Sequence, residues 1–310
     1  MHQFILILFA VLRHYQTHTY LYVVQVVGGK SVALKTLAAR NIITTGCGAF
    51  FIDVEGEYTN LIKMLGGKVI KIEQGKMAGI NPFDLEPDTK NNKKFLNILD
   101  KVAEIRALVG TICNNYQGRN LNGTEITEIE IVVNQLYAEK GITSDVNSLY
   151  EKKGGRLENG KYAVGRMLKK MPTLTDFQKK LAERENCKEL AQLLIPFLRG
   201  NSMGIFDCES KINSETEIIS VDMSEIKDEF TKSYVSFVTL TWAWQKFVLK
   251  NKEKKKIIAC DEAWVFLKYQ ESSDFLVNVA RRRQKIQCFT YYCKSIYRRI
   301  FKFWRTEKQL

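Results

Sequence analysis

Residues 20–31 read Tyr-Leu-Tyr-Val-Val-Gln-Val-Val-Gly-Gly-Lys-Ser, and this stretch sets the fold class. Its opening residues are mostly β-branched or aromatic, which suits a pleated strand. Gly28 and Gly29 then break the run, because glycine enters turn conformations closed to other residues. From Ser31 to about Arg40 the spacing becomes helical. The order is strand, glycine turn, helix.

The same alternation continues downstream. A second strand is expected over residues 49–54, ending in Glu55-Gly56-Glu57, followed by a helix through about Leu65 and a third strand over 68–72. Short strands separated by crossover helices give a mostly parallel sheet. From about residue 92 to 198 the pattern changes to long periodic runs, with helix-start residues ahead of 124–137 and 173–181 and a Gly- and Lys-rich loop over 152–161. This reads as an all-helical insertion. Strand character returns at 216–221 and 256–260, flanking a helix over about 232–249. The expected division is an atypical segment 1–27, a first core part 28–90, the helical insertion 91–200, a second core part 201–287 and a basic tail 288–310.

Composition agrees with a folded α/β protein: 310 residues, 45% hydrophobic and 26% charged, with only four prolines. The net charge of +13 makes acidic partners such as nucleic acid or anionic lipid accessible by electrostatics. Much of it sits at 252–256 and from Arg281 onward, where ten Lys or Arg face only Glu307. Such a run reads either as a solvated face or as a nucleic-acid surface, the tail interleaving Tyr291, Tyr292, Tyr297, Phe301, Phe303 and Trp304. Seven cysteines without a Cys-x-x-Cys pair indicate neither a disulfide framework nor a zinc site, and fit a reducing cytoplasm. The apolar run 4–12 is shorter than the roughly 18–20 residues that span a bilayer, and reads as a buried strand or an atypical start.

All three histidines, His2, His14 and His18, precede residue 19, so chemistry in the body of the chain must use carboxylates, lysine, arginine or hydroxyls. Gly28, Gly29, Lys30, Ser31 and Val32 form the candidate phosphate-binding set. In a P-loop, backbone N–H groups and the helix N-terminus cradle phosphate oxygens, the lysine reaches the β- and γ-phosphates, and the hydroxyl ligates Mg2+. A Gly-Lys-Ser tripeptide also occurs simply as a helix start. Val24 stands where G-x-x-x-x-G-K-S has its first glycine, and valine does not readily take the conformations glycine supplies there.

The second candidate is Ile257-Ile258-Ala259-Cys260-Asp261-Glu262-Ala263-Trp264, an apolar strand ending in two carboxylates. Asp261 would support the Mg2+ shell and Glu262 would orient the attacking water of ATP hydrolysis. The alternative is a helix with acidic first-turn residues, which the macrodipole favours. A third segment, Asp53-Val54-Glu55-Gly56-Glu57-Tyr58, puts carboxylates at the strand end where open α/β sheets bind ligands. There the alternative is a helix cap by Asp53 or Glu55.

Asp53 to Tyr58, Leu65-Gly66-Gly67, Ile80-Asn81-Pro82-Phe83-Asp84, and their spacing to Lys30 and Asp261-Glu262 resemble the conjugative-transfer and type IV secretion ATPases of the VirB-four type. Gly204-Ile205-Phe206-Asp207, residues 218–224 and Ala280-Arg281-Arg282-Arg283 are similar to that family as well. The resemblance covers about residues 28–284. It implies a RecA-like P-loop core with an inserted all-helical subdomain, hydrolysing Mg-ATP as a hexamer. It further implies work with secretion-channel components, in the cytoplasm or peripherally at the inner membrane. Arg281 and Arg282 match a basic motif that would reach a neighbouring subunit's phosphates. The likeness fades at both ends, as a shifted reading frame would produce: no Gly-Thr-x-Gly turn precedes residue 28, and no Ser-Gln sensor strand follows Gln284. Two rival expectations therefore stand beside the motor, a remnant that binds or assembles without turnover and a basic nucleic-acid-binding protein.

Overall fold

A computed structural model of the chain describes residues 6–14, 17–25, 30–90, 93–152, 155–156, 162–163, 165–211, 217–248, 256–260, 262 and 269. The first part of the core contains β1 (Leu6–His14), β2 (Thr17–Gln25), α1 (Lys30–Thr45), β3 (Gly48–Asp53), α2 (Thr59–Met64) and β4 (Lys68–Lys71). β5 (Asp88–Lys90) and β6 (Lys93–Phe95) span the entry to the insertion, which continues with α3 (Ile98–Gln117), α4 (Gly123–Glu139), β7 (Tyr150–Lys152), β8 (Gly155–Arg156), β9 (Tyr162–Ala163) and β10 (Arg166–Leu168). It ends with α5 (Leu174–Ala182) and α6 (Lys188–Leu193). The chain then returns to the core with β11 (Ile218–Asp222), α7 (Glu229–Ala243) and β12 (Lys256–Cys260).

Six strands form one sheet in the order β1-β2-β12-β3-β11-β4. All pairs are parallel except β1 with β2, an antiparallel hairpin at one edge. The apolar run near the N-terminus thus becomes a strand. The central strands are apolar on both faces because both are covered. In β3, Phe50 and Ile52 enter one core while Ala49 and Phe51 enter the other. In β12, Ile258 and Cys260 alternate with Ile257 and Ala259 in the same way.

The smaller core lies beneath α1 and α2, where Ala38, Ile42 and Ile62 meet the sheet. The larger core joins the opposite face to α7 and the insertion. There Trp242 and Phe247 pack on Phe50 at ring-centroid distances of 6.2 and 5.7 Å. Burying one such aromatic stabilises the fold by roughly 1.5–3 kcal/mol.

The insertion differs from the expected all-helical unit. Its bulk is helical, and α4 and α5 begin on complete capping boxes, Asn122 with Glu125 and Thr173 with Asp176. Three short antiparallel pairs accompany the helices: β5 with β6, β7 with β10 and β8 with β9. The last two fall in and around the stretch expected as a loop. Glycine and lysine there suppress the strand signal, yet short pairs form wherever two extended segments meet.

A buried polar knot fastens the insertion to the core at Asn81–Asp84. The Asn81 side chain donates to Pro172 O (2.8 Å) and accepts from Phe83 N (2.9 Å). Tyr137 of α4 donates to Phe83 O at 2.6 Å. Asp84 accepts from Ser210 Oγ and, at 3.2 Å, from Trp242 Nε1. Lys246 closes the group, 2.9 Å from Glu86 and 3.9 Å from Asp84.

Candidate functional site

The carboxyl ends of the parallel strands meet at one edge of the sheet, where α/β folds bind ligands. Strand β2 stops at Gln25 and α1 begins at Lys30, so the connection is residues 26–29. Lys30 and Ser31 open a helix of 16 residues whose first turn carries no acidic side chain. That end of the helix presents N–H groups and the positive end of the macrodipole, which suits phosphate. Val32 follows, 67% exposed. Gly28, Gly29, Asp261, Arg281 and Arg282 lie outside the described residues.

Strand β12 runs parallel to β2, with Cys260 opposite Val23. Glu262, two residues past the end of β12, is half-buried. The topology therefore brings Glu262 and the Lys30-Ser31 helix start to the carboxyl ends of two adjacent strands. Val24 falls inside β2, opposite Ile7 of β1. The position expected to hold the first loop glycine is thus an extended strand residue.

The acidic segment after β3 is built as a turn held by Asp53, and α2 itself has no side-chain cap hydrogen bond. Asp53 is 1% exposed, and its carboxylate accepts from Glu57 N and Tyr58 N, both at 2.9 Å. Those donors would otherwise be orphaned in the turn ahead of α2. The turn closes through Gly56 at φ 73°, where an added Cβ would sit 2.9 Å from Ser224 Cβ. Glu55 and Glu57 point outward and pair with Lys232 (2.9 Å) and Lys35 (3.4 Å). The Lys35 ammonium also lies 5.4 Å from the centre of the Tyr58 ring, which ties α1 to this turn.

Asp222 ends β11 directly opposite Asp53. The two carboxyls titrate differently. Burial pushes Asp53 up to about 6 against its backbone hydrogen bonds, with the Asp222 charge adding to the rise. Asp222 is held below its ordinary value: burial opposes this, but hydrogen bonds from Ser224 and Thr59 outweigh it. Thr59 Oγ1 lies 3.0 Å from one Asp222 oxygen, and Ser224 N and Oγ lie 2.9 and 2.7 Å from the other. The signal for Asp222 in the sequence is an acidic residue closing an apolar strand, as at Asp53 and Asp261.

Among the described residues, no cluster of three His, Cys, Asp or Glu is arranged to hold a metal ion. The five described cysteines, Cys47, Cys113, Cys187, Cys208 and Cys260, are buried and form no disulfide with one another. No described helix is long and apolar enough to cross a membrane.

No protein-family model and no curated protein matches the chain. Among solved structures, one described as the structure of VirB4 of Thermoanaerobacter pseudethanolicus superposes with a TM-score of 0.62. The match covers 83% of this chain and 90% of that one at 20% sequence identity. At that identity the likeness establishes the fold, and it bears out the RecA-like α/β class expected from the sequence.

Proposed function

We propose that the chain is the nucleotide-binding motor domain of a type IV secretion or conjugative-transfer ATPase of the VirB4 type, and that it hydrolyses Mg-ATP. The observation that carries this reading is the placement of Lys30-Ser31 and Glu262 at the ends of neighbouring parallel strands, on a fold matching a VirB4 structure. Gly28, Gly29 and the first N–H groups of α1, through Val32, bind the phosphates. The Lys30 ammonium offsets the charge on their outer oxygens. Ser31 and Asp261 would hold Mg2+, which when bound neutralises charge on the phosphate oxygens. Glu262 accepts a hydrogen bond from the attacking water and aligns it, the part left to a carboxylate in a core without histidine. Arg281 and Arg282 are candidates for completing a neighbouring subunit's site in a homo-hexamer. Secretion-channel components are the expected partners, in the cytoplasm or at the cytoplasmic face of the inner membrane.

Titration with a fluorescent ATP analogue in Mg2+ tests the binding half. Saturable binding that is lost in Lys30→Ala is expected, and binding indifferent to that substitution would refute the site. One observation favours a second reading, a remnant that binds or assembles without turnover: Val24 is committed to β2, which leaves residues 26–29 to surround the phosphates. That reading expects tight binding with no magnesium-dependent phosphate release.

A further inference from the structure

We propose that Lys35 is a positioning residue for the phosphate-binding start of α1, clasping that helix to the turn that follows β3. The inference rests on the nucleotide-binding reading above and deepens it. Helix α1 runs from Lys30 to Thr45, and among its described side chains the buried ones are Ala38 and Ile42, both in the second half. They anchor the far end of the helix to the sheet. Lys35 lies in the other half, about 7.5 Å along the axis from Lys30. Its ammonium reaches Glu57 Oε2 at 3.4 Å and lies 5.4 Å from the centre of the Tyr58 ring.

The base of this clasp is fixed. Asp53 accepts from the backbone N–H groups of Glu57 and Tyr58, at 2.9 Å each, so one buried carboxylate sets both partners of Lys35. The Tyr58 ring is buried and packs on Phe51 of β3, with centroids 5.1 Å apart. On the other side of the turn, Gly56 lies close against Ser224, which Asp222 holds through its N and Oγ at 2.9 and 2.7 Å. The ends of β3 and β11 therefore brace the turn, and Lys35 joins it to α1.

A single helix moves largely as a rod, so a restraint at Lys35 also restrains the N–H groups of residues 30–32 that bind the phosphates in the proposed site. Small displacements of such donors weaken the hydrogen bonds they make. The ion pair is partly open to water, with 32% and 42% of the two side chains exposed, so its effect is modest. Local pattern does not announce the pair, because Glu57 stands 22 residues from Lys35.

Titration of the full chain with the fluorescent ATP analogue in Mg2+ tests the proposal, beside amide exchange of α1 without nucleotide. Lys35→Met, which keeps the stem and removes the charge, and Glu57→Gln should each weaken binding about two- to fivefold. The double variant should bind no more weakly than either single one, and Lys35→Arg, which keeps a cation beside Tyr58, should bind like wild type. Amides 34–37, which close the first turn of α1, should exchange faster by a similar factor in Lys35→Met and not in Lys35→Arg. Tighter binding by Glu57→Gln would overturn the proposal, since bare attraction between phosphates and net positive charge gives that result without a clasp. Additive losses in the double variant, or unchanged affinity in both single ones, would overturn it as well. Equal binding by wild type and Lys30→Ala would remove the nucleotide reading instead. The exchange arm would then decide whether Lys35 holds α1, faster exchange in Lys35→Met keeping the clasp and unchanged exchange discarding it.

Discussion

Replacing Asp53 by asparagine should flatten part of the pH dependence of stability in a direction opposite to that of an ordinary surface carboxylate. Asp53 is 1% exposed and faces Asp222 across the β3–β11 pair, and its pKa rises from 3.8 to about 6. The folded state therefore binds a proton that the unfolded chain releases, and stability falls as pH rises from about 3.8 towards 6. Linkage over that window gives a gain of about 1–2 kcal/mol on going from pH 7 to pH 5. The Asp53→Asn variant cannot bind that proton and should lose this increment. Against it, at pH 7, stands the loss of one of two backbone hydrogen bonds to a charged acceptor, about 1.5–3 kcal/mol. Urea denaturation of both proteins at pH 5 and 7 measures the two terms, other groups cancelling in the difference. The destabilisation caused by Asp53→Asn should be larger at pH 5 than at pH 7. Equal destabilisation at the two pH values, or a smaller one at pH 5, would refute the desolvation argument for this carboxyl.

Two other perturbations test the packing that positions the site. Gly67→Ala would place a Cβ 2.7 and 2.8 Å from Ile218 Cγ2 and O, and 2.8 Å from Ile62 Cγ2. A loss of about 1–3 kcal/mol is expected by denaturant unfolding, from overpacking between α2 and β11. Lys246→Met would leave Glu86 and Asp84 without the cation that lies 2.9 and 3.9 Å away. It should cost about 3 kcal/mol, with the insertion showing the earliest loss of exchange protection, and full protection there would contradict the role given to the knot.

The parallel core was legible because its strands are buried on both faces, so residues 48–53, 218–222 and 256–260 appear as short apolar runs with little ambiguity. The caps of α4 and α5 announce themselves by local chemistry, since Asn122 with Glu125 and Thr173 with Asp176 satisfy each other's backbone groups. Elements held by distant partners were harder to read. Nothing near 155–156 or 162–163 signals that these segments pair. Asp53 shows the same division within the site. Both a ligand-facing carboxylate and a helix cap fit its position at a strand end, while its hydrogen bonds to Glu57 and Tyr58 brace the turn ahead of α2. Asp222 is held through a residue more than 150 positions away, Thr59 at 3.0 Å, a separation that local pattern does not carry.

In the proposed motor, Lys30 and Glu262 serve one nucleotide site. Phosphate release from Mg-ATP by the wild type, Lys30→Ala and Glu262→Gln, measured beside nucleotide affinity, tests it most directly. Turnover should require Mg2+ and fall at least about a hundredfold in both variants, with affinity lost in Lys30→Ala and retained in Glu262→Gln. Turnover that is the same in all three proteins would contradict the claim.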